Sequence, residues 1–165
     1  DTKDLQDSSE RIKGTEYYLL STWMWAEMSR DRTEKVVGVF DEAYLLIDKR
    51  VPQTLAFLRN ASKRCRKYEG SMIIISHSVV DFLDESVKMY GQALLDLPTY
   101  KFIFGCDGEN LKQTKQLYNL NDSEEELLLS KNRGHALFFS GSKRMHLNFK
   151  IPEYEKEYMG NAGGR

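Results

Sequence analysis

Two short, continuously apolar runs, VVGVF (Val36 to Phe40) and SMIIIS (Ser71 to Ser76), most constrain what this chain can fold into. Each is rich in β-branched residues and lacks polar alternation, the pattern of a strand covered on both faces. Between them lies VPQTLAFLRNASKRCRKYEG, with Pro52 in the first helical turn and Gly70 as a stop. Its Leu55, Leu58, Ala61, Cys65 and Tyr68 mark one face, so the stretch reads as an amphipathic helix. A third apolar run, KFIFG, follows the helical stretch DESVKMYGQALLDL. Strands alternating with helices predict an α/β fold with a mainly parallel sheet covered by helices.

The segment from Glu10 to Arg30 places Ile12, Leu19, Leu20, Trp23 and Met24 near helical spacing, with Ser8 and Ser9 as candidate N-caps. It reads as a buried helix, because its apolar window Tyr17 to Met28 is too short to span a bilayer and carries Glu27. Two further helices are expected from Glu109 to Leu117 and from Ser123 to Lys131, the second opened by a capping box at Ser123-Glu124-Glu125-Glu126. RGHALFFSGSKRMHLNFKI predicts a hairpin turning at Gly141-Ser142. The tail GNAGGR (160–165) has no core-forming residue and is expected to be disordered. The 165 residues suffice for one domain, over 1–159.

With 24 Lys+Arg against 25 Asp+Glu, the chain is not a uniformly basic nucleic-acid binder, although a local basic stripe is compatible with that balance. Cys65 and Cys106 have no CxxC spacing and read as buried or free thiols of a reducing compartment. No signal segment opens the sequence, which leads to the expectation of a soluble, cytoplasmic protein. Residue 1 is Asp, so a piece of a longer protein is expected.

Asp41 and Glu42 leave the first strand at the end where α/β sheets bind ligands. Two readings are open. One carboxylate can hold Mg²⁺ and the other orient an attacking water, or Asp41 can cap a helix beginning at Ala43. His77, at the same end of the second strand, can reach that crevice and bond a phosphate, or serve as a cap. Ser76 and Ser78 flank His77, but neighbouring strand residues point to opposite faces, which disfavours a nucleophile and base dyad. His135 and His146 lack paired ligand spacing, so a zinc site is not expected. Arg59, Lys63, Arg66 and Lys67 form a basic stripe that is a solvated face, a polyphosphate contact or a nucleic-acid contact.

The ordered combination of an apolar strand with Asp41-Glu42-Ala43, then Arg66-Lys67-Tyr68-Glu69-Gly70, then an apolar strand with Ser76-His77-Ser78 and Asp81-Phe82 resembles the conjugation ATPases of type IV secretion systems, in the HerA and FtsK branch of motor ATPases. Leu97 through Ile103 resembles the family's next strand, and Gly134 through Arg144 its closing hairpin. The resemblance implies a RecA-like P-loop core fragment that uses ATP and Mg²⁺. Asp41 would be the Mg²⁺-linked acid, Glu42 the water-activating acid of Walker B, and Arg66 an arginine finger reaching a neighbour's nucleotide. His77 stands where the family usually has a phosphate-sensing Gln. No Gly-x₄-Gly-Lys-Ser/Thr loop occurs, so the chain resembles the later part of a motor domain without its Walker A element. The resemblance further implies a ring of like subunits at a secretion channel, peripheral to the cytoplasmic membrane through partners. A DNA translocase or helicase of the same branch, contacting DNA through the basic stripe, and a non-catalytic interaction module are the alternatives.

Overall fold

The computed structural model describes residues 9–47 and 52–159. The chain divides into two compact units, Asp1–Pro98 and Thr99–Arg165. Ser8 and the tail 160–165 lie outside the described residues.

In the first unit, α1 (Glu10–Arg30) leads into β1 (Val36–Phe40) and a 3₁₀ turn, Ala43–Leu46. Then α2 (Pro52–Arg64), a second 3₁₀ turn (Cys65–Tyr68), β2 (Gly70–Ile74), α3 (Val80–Leu83) and α4 (Lys88–Asp96) follow. β1 and β2 pair in parallel, from Val36 opposite Gly70 to Phe40 opposite Ile74, so the strand–helix–strand crossover forms as expected. Leu55, Leu58, Ala61 and Cys65 are all buried, as the periodicity of α2 requires. Ala43, Leu46, Leu58, Phe82 and Leu94 form the core of the unit, joined by Phe40, Met72 and Ile74.

Three expectations change here. Gly70 does not stop the helix: Glu69 adopts the left-handed conformation (φ 53°) that closes the 3₁₀ turn, and Gly70 begins β2. A Cβ there would lie 2.5 Å from the Met28 sulfur, so a larger residue would have to displace the Met28 side chain. Nor are the strands covered on both faces, since Val37, Val39, Ile73 and Ile75 are exposed while Gly38 and Gly70 are buried. Finally, α1 is not a buried core helix. Ser21 and Met28 are buried, but Ile12, Leu19, Leu20 and Trp23 are exposed, Trp23 by 65%. An apolar run signals that a surface is to be covered, whereas the described residues of this unit cover only one side of the sheet.

The stretch expected as one helix from Asp84 breaks at its start. Asp84 Oδ1 accepts from the Ser86 backbone N–H (2.9 Å) and from the Ser86 hydroxyl, a local turn that competes with helix and leaves α4 to begin at Lys88. Gly91 lets α4 approach α3, because a Cβ there would run into the Phe82 backbone. Gly91→Ala is therefore expected to destabilise the chain by about 2–3 kcal/mol, checked as a lowered urea midpoint.

The second unit contains β3 (Tyr100–Phe104), α5 (Gly108–Tyr118), α6 (Asp122–Leu129), β4 (His135–Ser140), β5 (Lys143–Asn148) and α7 (Glu153–Met159). The three strands form an antiparallel sheet in the order β3-β4-β5. Thus the KFIFG strand pairs with the hairpin, and the sheet of the second unit is antiparallel whereas the strand pair of the first unit is parallel. The hairpin turns at Gly141-Ser142 as expected, with Gly141 at φ 59°, a value that suits glycine at the first central position. Leu111, Leu120, Leu128, Leu137 and Phe139 form its core.

The capping box sits two residues earlier than the Ser123 pattern suggested. Asn121 accepts from the Glu124 N–H (2.9 Å), and the Glu124 side chain accepts from the Asn121 N–H (3.0 Å). Arg144 reaches from β5 to the Tyr118 and Asn119 carbonyls and to Glu124 (3.0 Å), tying the α5–α6 corner to the hairpin. Cys65 and Cys106 are both free thiols; burial raises the pKa of Cys106. Among the described residues no helix is long and apolar enough to cross a membrane.

Candidate functional site

The two parallel strands deliver their C-terminal ends side by side. Beyond the regular ladder, Ile75 N–H donates to the Phe40 carbonyl (2.9 Å) and Ala43 N–H to the Ile75 carbonyl (2.8 Å), which pins residues 41–43 against the end of β2. To turn from the strand into the 3₁₀ turn, Glu42 takes left-handed backbone angles, φ 50° and ψ 45°. That conformation is uncommon for a residue with a Cβ and costs about 1–2 kcal/mol. Strain of this kind collects at functional sites.

Helix capping does not account for the acids. Asp41 Oδ1 accepts from the adjacent Glu42 N–H (2.9 Å), the N-cap of the turn is Glu42 rather than Asp41, and its side chain makes no capping bond. The Glu42 carboxylate instead stands between two side chains. Tyr44 donates its hydroxyl to Oε2 (3.3 Å), and His77 Nε2 lies 3.6 Å from Oε1. The Tyr44 and His77 rings are 5.8 Å apart. Loss of solvent, and then the negative charge of Glu42, push the Tyr44 phenol above its ordinary pKa, with Asp81 and Tyr17 adding to the rise.

The Ser76 hydroxyl is buried and has no hydrogen-bond partner, whereas Ser78 Oγ accepts from the Val80 N–H (3.1 Å) and starts α3. Carboxylate oxygens such as those of Asp41 and Glu42 are hard donors of the type Mg²⁺ takes. Among the described residues no group of three or more His, Cys, Asp or Glu could hold a metal by itself. A Mg²⁺ ion at this site would therefore need water and phosphate oxygens to complete its shell, its usual state in nucleotide sites.

Arg66 is not brought to the carboxylates. It lies in the 3₁₀ turn before β2, past the end of α2 where the sequence placed it, and it is exposed. The five residues of β2 put about 16 Å of strand between that turn and the His77 end. Of the basic stripe, Lys63, Arg66 and Lys67 are exposed, while Arg59 is half-buried with its guanidinium 5.9 Å from the Tyr90 ring centre. Sequence reading missed the aromatic scaffold beside Arg66. Arg32 sits 4.7 Å over Tyr68, Arg64 5.1 Å over Trp25, and the two rings meet edge to face at 5.2 Å. The hydrogen bond from Arg64 lowers the Tyr68 pKa. In the second unit, β4–β5 pairing brings His135 and His146 together, Nδ1 to Nε2 at 2.8 Å, although eleven residues separate them. Only the hairpin register could have signalled that contact.

The structure of VirB4 of Thermoanaerobacter pseudethanolicus matches 96% of this chain at 43% sequence identity, with a TM-score of 0.88. The chain is thus similar, over nearly its whole length, to a fragment of a type IV secretion ATPase. It spans 42% of the length of that VirB4 chain. No family model matches the sequence, and no curated protein matches it. His77, just past the end of β2, offers a ring donor and acceptor. His77→Gln is accordingly expected to keep more hydrolysis than His77→Ala, because the amide restores a hydrogen bond that a methyl group cannot. Steady-state turnover of the two variants in a polypeptide with a phosphate-binding loop checks this, and equal rates would remove His77 from the chemistry.

Proposed function

We propose that this chain is the acid-bearing part of a Mg²⁺-dependent, ATP-hydrolysing motor, with Asp41 and Glu42 as its Walker B pair and both units within one RecA-like domain of the HerA and FtsK branch. The observation that carries the reading is the meeting of two parallel strand ends on one carboxylate, Glu42, with His77 3.6 Å away. Mg²⁺, when bound, neutralises charge on the transferring phosphate. Asp41 holds that ion through water, Glu42 orients and deprotonates the attacking water, and His77 donates to the terminal phosphate. The backbone cradle and lysine that bind the other phosphates have no counterpart in these 165 residues, so they come from elsewhere in the motor.

The output is conjugative transfer or type IV secretion. Like subunits form a ring at the cytoplasmic face of the membrane, held there by channel components, and Arg66 reaches the nucleotide of a neighbour. Exposed Lys63, Arg66 and Lys67 favour one second reading, a DNA translocase, for which binding to DNA would weaken steeply with salt.

The 165-residue chain alone is expected to show negligible ATP turnover, and a polypeptide that adds the phosphate-binding loop to show Mg²⁺-dependent turnover. Asp41→Ala should raise the Mg²⁺ concentration needed for half-maximal rate about tenfold or more. A loop-bearing polypeptide that binds ATP without hydrolysing it would make the chain part of a non-catalytic interaction module.

A further inference from the structure

We propose that Tyr44 is a positioning residue for Glu42: its hydroxyl holds one carboxylate oxygen so that the other is presented toward His77 and the water to be activated. The inference rests on the ATPase reading of Glu42 above. A glutamate side chain on a left-handed backbone has no neighbour in a regular element to fix its rotamer. Here the 3₁₀ turn supplies one. Tyr44 follows Glu42 by two residues, and the turn is locked by Ala43 N–H on the Ile75 carbonyl (2.8 Å) and Leu45 N–H on the Glu42 carbonyl (2.9 Å). Ala43 and Leu46 on either side are buried in the core, which holds the tyrosine backbone in place.

The contact from hydroxyl to Oε2 is 3.3 Å. That is long for an O–H···O bond, and hydrogen bonds of catalytic groups commonly tighten in the reacting complex. The groups facing the phenol are Glu42, Asp81, Tyr17 and the His77 ring. The acids among them favour the neutral phenol, so Tyr44 remains a donor at working pH. A held carboxylate also avoids the entropic cost of being oriented during each turnover.

Tyr44→Phe, made in the loop-bearing, ATP-hydrolysing polypeptide, keeps the ring and removes only the hydroxyl. The expected result is a kcat lowered about tenfold, a KM for ATP within twofold of wild type and an unchanged urea midpoint. In the 165-residue chain, ¹³C NMR titration of labelled tyrosines should place the Tyr44 midpoint above the ordinary value. Glu42→Gln should lower that midpoint without removing the part due to burial. Unchanged kcat in Tyr44→Phe, or a Tyr44 titration indifferent to Glu42→Gln, would overturn the proposal. Loss of turnover in Glu42→Gln beside full turnover in Tyr44→Phe would sink this inference alone, whereas full turnover in Glu42→Gln would sink the ATPase assignment beneath it.

Discussion

Glu42→Gln is expected to slow ATP hydrolysis about a thousandfold in a polypeptide that combines this chain with a phosphate-binding loop, while ATP affinity stays within about twofold. The substitution keeps the size and planarity of the side chain, and its amide oxygen can still accept from the Tyr44 hydroxyl that now meets Oε2. What disappears is the negative charge that polarises the attacking water and takes its proton. Binding is spared because the affinity comes mainly from the phosphate loop, which this substitution does not touch. Equilibrium binding of a fluorescent ATP analogue, beside steady-state phosphate release, separates the two effects. Turnover within threefold of wild type would reduce Asp41 and Glu42 to residues that shape a turn.

Arg66→Ala should also lower turnover of the assembled motor, by about a thousandfold, with folding and nucleotide affinity preserved. The reason is geometric. Arg66 is exposed at the opposite end of β2 from His77, so it cannot serve the carboxylates of its own subunit and is available to another. A guanidinium facing a neighbour's terminal phosphate stabilises charge that develops during transfer. Lysine should restore only part of the rate, because it lacks the planar fork of donors. Mixing Arg66→Ala subunits with Glu42→Gln subunits decides the point. Each is inactive alone, but mixed rings contain interfaces where an intact arginine meets an intact glutamate, and activity should return once subunit exchange has been verified with an affinity tag. Confirmed mixing with no recovered activity would assign Arg66 to structure or to DNA contact.

The crossover of β1, α2 and β2 was readable from residue types because every signal agreed: β-branched runs, Pro52 within the first turn, and Leu55, Leu58 and Ala61 on one face. The hairpin was readable because Gly141-Ser142 sits between two alternating strands. Other features were hidden where competing local bonds decide. Asp84 and Ser86 broke a helix that apolar periodicity alone would have continued, and Asn121 took the cap that Ser123 matched by pattern. Pairing partners were hidden as well, because KFIFG reads the same whether its neighbour runs parallel or antiparallel. At the site, the positions of Asp41, Glu42 and His77 followed from strand ends, but the Tyr44 contact depends on a left-handed Glu42 that no sequence pattern announces.

The bare apolar side of the β1–β2 pair, with Val37, Val39 and Ile73 in solvent, sets a trap for protein engineering. Changing these residues to Lys or Glu would make the separate chain better behaved at high concentration, since a flat hydrophobic surface promotes self-association. In a longer motor of the kind proposed, the same substitutions would put charges where apolar contact is expected, at a cost of several kcal/mol per unpaired ion. Screening this chain for solubility would therefore enrich for variants that fail in the proposed motor.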